Sequence, residues 1–336
     1  MRAAVCESFG KPLRLADLPV PEPSAGQVRI RVAACGVCHS DLHLVDGHFA
    51  SRGTPLPIIP GHEVAGTVDA LGEGVTGLLP GDRVGVAWMQ HACGRCRACR
   101  SGAEMLCPEQ KSTGVTVDGG YAEYVVANAP FVHRIPEGLE PAEAAPLLCA
   151  GITVFAPLRR AGNLAGRNVA VAGVGGLGHL AIRMAAAMGA HVTALLRGRG
   201  KEELARHLGA HEVIDTVRED AGKALLRLGG ADVILLTGIS APLLPACVSG
   251  LAPNGTLVIL AAIDEPVPIV PSVLMEGQKK IEGSLLGTRE DMDTMLHFAA
   301  DHRTLPVVET FPLERANEAL ARLRCGEVRL RAVLTP

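Results

Sequence analysis

The chain has 336 residues, 48% of them hydrophobic, with a formal net charge of -3 and a sequence pI near 6.5. That length suits two domains better than one, and the near-neutral balance excludes binding driven by a basic surface to nucleic acid or an anionic membrane. Aromatic content of 3%, with no interleaving of basic and aromatic residues, excludes a stacking surface for single strands.

The first segment, MRAAVCESFGKPLRL, carries charges throughout and lacks an apolar signal core. Up to about residue 150 the pattern is short β-rich runs broken by Gly and Pro: QVRIRVAACG, HEVAGTVDALG, GDRVGVAW and GYAEYVVA. Such spacing predicts an all-β or barrel-like unit with long functional loops. The longest apolar run, Pro146 to Leu158, is too short to cross a bilayer as a helix. The expectation is a cytoplasmic protein, whose clustered cysteines bind metal rather than form disulfides.

From about Ala165 strands and helices alternate. NVAVAG reads as a buried strand, and LGHLAIRMAAAMG as a helix with Leu177, Leu180, Ala181, Met184 and Met188 on one face. HVTALL, EELARHLG and HEVID follow as strand, helix and strand; ADVILLTG, PLLPACVSGLAPNG and TLVILAAI repeat the theme. This alternation predicts a parallel, doubly wound sheet. After KKIEGSLLGT, a helix over TREDMDTMLHFAADH leads into a mixed tail ending at Pro336.

Between the first strand and first helix of that second part lies Gly173-Val174-Gly175-Gly176-Leu177-Gly178. Alone GxGxxG is weak, but a strand before it and a helix after it give it meaning as a dinucleotide loop. Its glycines permit a tight turn and close approach to a pyrophosphate, which the helix N-terminus favours. An acid at the end of the second strand would hold the adenine ribose of NAD. Here stand Leu196 and Arg197, then Arg199 and Lys201, with no carboxylate before Glu202. Arginine forks suit a 2′-phosphate, so NADP(H) is expected over NAD(H).

Cys93, Cys96, Cys99 and Cys107 follow C-x2-C-x2-C-x7-C. Four thiolates on one loop can close a tetrahedral shell on zinc, which leaves no position for substrate; similar spacing also serves iron–sulfur clusters. A catalytic zinc needs three protein ligands and an open position. Cys38 in GVCHSDLH, His62 with Glu63 in PGHEVAG, and Cys149 in PLLCAGIT are candidates too far apart in sequence for spacing to prove that they converge.

GVCHSDLH, PGHEVAG, GDRVG, the four-cysteine loop, GGYAEYVV, LLCAGIT, GVGGLGHLA and GSLLGTRED occur in this order over nearly the whole chain. Together they resemble the zinc-dependent alcohol dehydrogenases of the medium-chain dehydrogenase/reductase superfamily, in their bacterial form. The resemblance implies a GroES-like β-barrel catalytic domain over 1–150 and 289–336, and a Rossmann coenzyme domain over 151–288, with the active site in the cleft between them. It makes Cys38, His62 and Cys149 the catalytic zinc ligands, with Glu63 behind the metal and able to coordinate it transiently. Asp41 would orient His62, Ser40 would hydrogen-bond the substrate oxygen, and His43 would end a proton relay. His39 and Arg331 would face the cofactor pyrophosphate, and Thr153 the nicotinamide. Thr237, Ala261 and Leu286 would complete the cofactor site, and Trp88 would line the substrate pocket and favour small or flat substrates.

The reaction so implied is reversible hydride transfer between a small or primary alcohol and a nicotinamide, with two zinc ions per chain and a homodimeric or homotetrameric assembly. Within the same superfamily, a polyol or cinnamyl-type dehydrogenase is the first rival. A zinc-free quinone reductase is disfavoured by the intact Cys38, His62 and Cys149. A non-catalytic nucleotide-binding protein is the rival of another class. Cys6, Cys35, Cys247 and Cys325 receive no role, and buried small residues are the default for them.

Overall fold

The computed structural model describes every residue of the chain except Ile239 and the side chain of Arg199. The chain separates into two compact units, one of Met1–Cys149 with Thr288–Pro336 and one of Ala150–Gly287.

The first unit is organised by an 11-residue strand, Gln27–Val37. Val28, Ile30, Val32 and Ala34 are buried on one face, while Arg31 and Ala33 are exposed on the other, the period of two expected of a half-buried strand. One edge pairs antiparallel with Val64–Leu71. The other edge pairs with Tyr124–Asn128 near its start and with Arg331–Thr335 near its end. Arg83–Val86, Val132–Arg134 and Val308–Pro312 complete a seven-stranded sheet. The last strand matters for the site, because the register Ala332↔Val37 sets Arg331 beside residues near the other end of the sequence.

A helix, His39–Val45, starts directly after the long strand. Cys38 is its N-cap, and the Asp41 carboxylate returns to accept the Cys38 N–H at 2.8 Å. This reciprocal cap is why CHSD turns the chain sharply there.

Cys149 lies in a π-helical segment, Leu147–Gly151, set between Pro141–Pro146 and Ile152–Arg160. Such widened turns recur at functional sites because they displace a side chain from the regular helical path. The helical stretch Pro141–Arg160 is longer than the apolar run seen in the sequence. Its 20 residues and mean hydropathy of 1.4 would suffice to cross a membrane, but 78% of the apolar window is buried inside the protein, as in a core helix. The expectation of a segment too short to span is therefore corrected: burial, not length, characterises this stretch.

The second unit is a six-stranded parallel sheet in the order Glu212–Asp215, His191–Leu196, Asn168–Ala172, Ala231–Leu236, Leu251–Ile259, Lys280–Gly283. Numbered along the chain this is 3-2-1-4-5-6, the doubly wound Rossmann order, whose switch point lies between Asn168–Ala172 and Ala231–Leu236. Ala170, Leu195, Ile234, Leu236 and Leu257 form its core with Leu225, Leu244 and Val248 from the helices. The strand expected at TLVILAAI begins earlier, at Leu251, and takes in the APNG turn through a register shift opposite Ala231 and Val233.

Candidate active site and metal centres

Among the described residues, two groups place metal-ligating atoms within 4.8 Å of one another: Cys38, His62, Glu63 and Cys149, and Cys93, Cys96, Cys99 and Cys107. Both lie in the first unit.

In the four-cysteine group, Sγ separations include 3.5 Å for Cys96–Cys99 and 4.0 Å for Cys93–Cys99. Two thiolates on tetrahedral zinc with bonds of about 2.3 Å stand about 3.8 Å apart, so the spacing fits. Backbone N–H groups of Cys93, Cys96 and Cys99 donate to Sγ of Cys107, Cys93 and Cys96 at 3.3, 3.4 and 3.4 Å. Donors at Arg95 and Cys96 pull the Cys93 thiol down to about 7, towards the thiolate that a metal requires. The loop is also braced from outside, where Arg289 donates to both Glu104 carboxylate oxygens at 2.8 Å.

The other group is more buried and less symmetric. Cys38 and Cys149 Sγ are 3.9 Å apart, again a tetrahedral edge. The hydrogen bond between the two sulfurs holds Cys38 well below the usual thiol range and Cys149 well above it. His62 and Glu63 have no exposed surface. His62 Nε2 has no hydrogen-bond partner, an orphaned donor position beside two thiols that a zinc ion satisfies. The residues present thus fit the metal, with three strong donors and Glu63 in reserve.

Around these donors stands a supporting shell. His62 Nδ1 is 3.4 Å from Asp41 Oδ1, within ion-pair distance though outside hydrogen-bond geometry. Burial works to lower the His62 pKa, but the Asp41 carboxylate outweighs it and the value lies well above normal. Asp41 Oδ2 accepts the Tyr121 hydroxyl at 3.0 Å as well as the Cys38 N–H. A carboxylate so held fixes the imidazole it faces. Tyr121 was not singled out from GGYAEYVV; only the fold shows that its fully buried hydroxyl reaches Asp41. Two glycines make room. A Cβ at Gly36 would stand 1.8 Å from Glu63 Oε2, and one at Gly61 would stand 2.4 Å from Tyr121 Cδ1.

Glu63 Oε1 accepts from Arg331 Nη2, and both side chains are buried. Burial pushes the Glu63 carboxyl up to about 7 against the pull of Arg331. The expectation for Arg331 was a cofactor phosphate; the structure gives one of its nitrogens to Glu63, and its Nε stands without a partner. Ser40 Oγ accepts from Cys38 Sγ at 3.8 Å. His39 is exposed, and His43 makes a side-chain contact with His48 rather than with any metal ligand. Trp88 is 9% exposed and packs edge-on to His62, with ring centroids 5.0 Å apart, while Phe49 meets Trp88 at 5.9 Å.

The second unit carries the remaining candidates. Gly173 has φ +102, a left-handed conformation that glycine alone adopts freely. A Cβ at Gly178 would stand 1.9 Å from the Gly173 carbonyl oxygen, so that glycine is needed for close packing. A Cβ at Gly175 would meet nothing within 4 Å, which leaves a backbone cradle open to a pyrophosphate at the start of the helix Gly178–Ala187. Thr237 Oγ1 donates to the Gly173 carbonyl at 2.8 Å, and Lys201 Nζ to that of Val174 at 2.9 Å. Val174 and Leu196 are buried, Gly176, Leu177, Ala261 and Leu286 are half-buried, and Arg197 is exposed. Thr153 Oγ1 donates to the Leu285 carbonyl at 3.5 Å. The side chain of Arg199 lies outside the described residues.

Residues 24–137 match the alcohol dehydrogenase GroES-like domain family, and residues 176–301 match the zinc-binding dehydrogenase family. An alcohol dehydrogenase of Geobacillus stearothermophilus is 42% identical over 99% of both chains. The chain belongs to the zinc-dependent alcohol dehydrogenases of the medium-chain dehydrogenase/reductase superfamily. An aldehyde reductase of Synechocystis sp. is 38% identical over 93% of this chain and 91% of its own. The solved alcohol dehydrogenase of the archaeon Aeropyrum pernix matches all of both chains with a TM-score of 0.89 at 33% identity. The family thus supplies the first unit's GroES-like fold, the second unit's Rossmann sheet and the reaction class of an NAD(P)-dependent enzyme.

The buried charges of the dehydrogenase make zinc binding and pH interdependent. The Glu63 carboxyl, raised to about 7 from 4.5, keeps its proton in the native state while the unfolded chain has lost it. Stability without metal therefore falls as pH rises from about 4.5 to about 7. The raised His62 acts in the same sense, its contribution being lost as pH rises through the native value. Zinc binds the deprotonated ligands, so its stabilisation grows over that window. Calorimetry of zinc-replete and chelator-treated enzyme is expected to show a Tm gap wider at about pH 7.5 than at about pH 5.5. A constant gap would contradict this reading of the site.

Proposed function

We propose that the enzyme interconverts small primary or flat alcohols and their aldehydes, with Cys38, His62 and Cys149 holding the catalytic zinc and NADP(H) preferred as cofactor. The observation that carries the catalytic assignment is the convergence of Cys38, His62 and Cys149, distant in sequence, on one buried locus whose imidazole nitrogen is unpartnered. Zinc bound there would supply Lewis acidity towards the substrate oxygen, and the nicotinamide would supply hydride exchange. The remaining work belongs to side chains. Trp88 and Phe49 narrow the space beside His62, which favours small or planar substrates. The Ser40 hydroxyl takes the substrate proton, and His43, one helical turn on, carries it outward; positions three apart share a face of His39–Val45. Asp41, pinned by Tyr121, keeps His62 in place, while Glu63 and Arg331 neutralise one another behind it. Zinc held by Cys93, Cys96, Cys99 and Cys107 would have no open position and would brace its loop.

The cofactor preference rests on Leu196, buried where an acid would hold the ribose hydroxyls of NAD. The nearest carboxylate in the sheet register, Asp215, is occupied by the Gly198 and Val217 N–H groups at 2.9 and 3.1 Å. The sequence supplies Arg197 and Arg199 after that strand, residue types whose planar donor forks suit a 2′-phosphate. Leu196→Asp is expected to move the ratio of kcat/KM for NADP over NAD towards NAD by at least about tenfold. An unchanged ratio would reject this reading of the loop.

Ten free cysteines support a reducing, cytoplasmic setting. The outer strand Lys280–Gly283 at the sheet edge, with Val270, Met275 and Leu285 exposed nearby in sequence, supports a homodimer or homotetramer. Zinc content with initial rates for NADH and NADPH over a panel of aldehydes tests the proposal as a whole. Turnover independent of zinc, or a rate preference for polyols, would overturn it.

A further inference from the structure

The helix that carries Ser40 and His43 ends in a particular way. The His48 N–H donates to the His43 carbonyl at 2.9 Å, and the Gly47 N–H to that of Leu44 at 2.9 Å. Gly47 has φ +86. These are the two bonds and the left-handed residue of a Schellman cap, a motif that folds the residue after the glycine back against the one five before it. Usually that contact is apolar. Here it joins two imidazoles, with His43 Nδ1 2.8 Å from His48 Nδ1 and ring centroids 4.9 Å apart.

A contact between two ring nitrogens at that distance holds one proton: one ring donates and the other accepts. His48 is exposed, so its second nitrogen meets water. With the His48 proton on that outer nitrogen, its Nδ1 accepts from His43 Nδ1–H. The neutral His43 then presents a bare Nε2, the basic nitrogen that a proton carrier needs. We infer that His48 is a positioning residue for the proton relay: it sets the His43 tautomer through the Nδ1–Nδ1 contact and stabilises the imidazolium formed when His43 takes the substrate proton. The inference rests on the relay reading of His43. Atoms balance simply: one proton arrives at His43 Nε2 and leaves from it to water, and the Nδ1 proton stays in the bridge.

The surrounding charges are few. Asp46, between the two histidines in sequence, is bound at both oxygens by Arg324, at 2.8 and 2.7 Å, and both histidines act on its charge. Arg52 stacks over Phe49 at 5.0 Å, and Phe49 in turn meets His43 edge-on at 6.5 Å. His39, one turn before His43, is near enough to feel its charge. Among these groups, His48 alone meets a His43 ring nitrogen at hydrogen-bond distance.

The test compares His48→Ala, His48→Asn and His43→Ala by single-turnover alcohol oxidation as a function of pH, with zinc content measured on each. His48→Ala is expected to slow the step roughly tenfold near neutral pH, as for loss of a partner that orients a working histidine. His48→Asn, whose amide oxygen can accept from Nδ1–H, is expected to recover most of the loss, which a merely structural role for the imidazole would not allow. If His48→Ala keeps the wild-type rate and pH profile while His43→Ala slows the step, the relay stands and His48 has no part in it. If His43→Ala is also without effect, the relay itself is rejected.

Discussion

Replacing Cys149 by alanine is expected to lower alcohol turnover at least about 10³-fold, because the metal's Lewis acidity is lost with its ligand. The fold should survive. Cys149 is one donor in a π-helical segment whose neighbours Leu147 and Leu148 are fully buried, and a small side chain in its place keeps that packing. One zinc should remain per chain, since Cys93, Cys96, Cys99 and Cys107 form a separate group. Cys38→Ala should behave alike. Wild-type rates in a metal-replete Cys149→Ala enzyme would remove this locus from the chemistry.

Arg331→Leu is expected to be the most destabilising of single substitutions at the site. Glu63 and Arg331 side chains are 0% and 6% exposed and paired across 268 positions of sequence. Above about pH 7, where the native Glu63 is ionised, removing Arg331 leaves a buried carboxylate without its partner and costs about 3–5 kcal/mol. At about 2.1 cal/mol/K per residue, a chain of 336 residues loses about 1.4 °C per kcal/mol, so the Tm falls by roughly 4–7 °C. The exposed pair Arg324–Asp46, with side chains 52% and 30% exposed, offers a control. Arg324→Ala should cost no more than about 1 kcal/mol, as surface ion pairs do. A Tm for Arg331→Leu within about 2 °C of wild type would show that Glu63 takes up a proton at little cost.

Period and punctuation made the second unit readable from sequence. Strands such as Asn168–Ala172 and His191–Leu196 are largely apolar runs, and Gly173 and Gly178 sit at a strand–helix turn whose geometry demands them. The four cysteines were equally legible, since a metal loop closed by local residues shows its spacing. The catalytic locus was not legible by spacing. Cys38, His62 and Cys149 meet only through sheet pairing and the π-helical turn, and resemblance to a family had to stand in for geometry. Three features escaped the sequence altogether: the Tyr121–Asp41 bond, the space kept for Glu63 by Gly36, and the pairing of Arg331 with Glu63. Each joins residues far apart in sequence that only the fold brings together. The His43–His48 contact is local, and a glycine before His48 marks a helix end, but nothing in HLVDGHF says that the cap will bring the two Nδ1 atoms together.

The central claim is that two chemically different zinc sites coexist and that the buried, asymmetric one does the chemistry. Timed removal of metal by a chelator, with zinc per chain and alcohol turnover followed together, tests it most directly. The account predicts two zinc ions at the start, loss of turnover in proportion to one of them, and recovery on adding zinc back. Retention of that activity loss pattern in Cys93→Ser enzyme would assign the functional ion to Cys38, His62 and Cys149. Full turnover after the first zinc has gone, or only one zinc in the fully active enzyme, would contradict it.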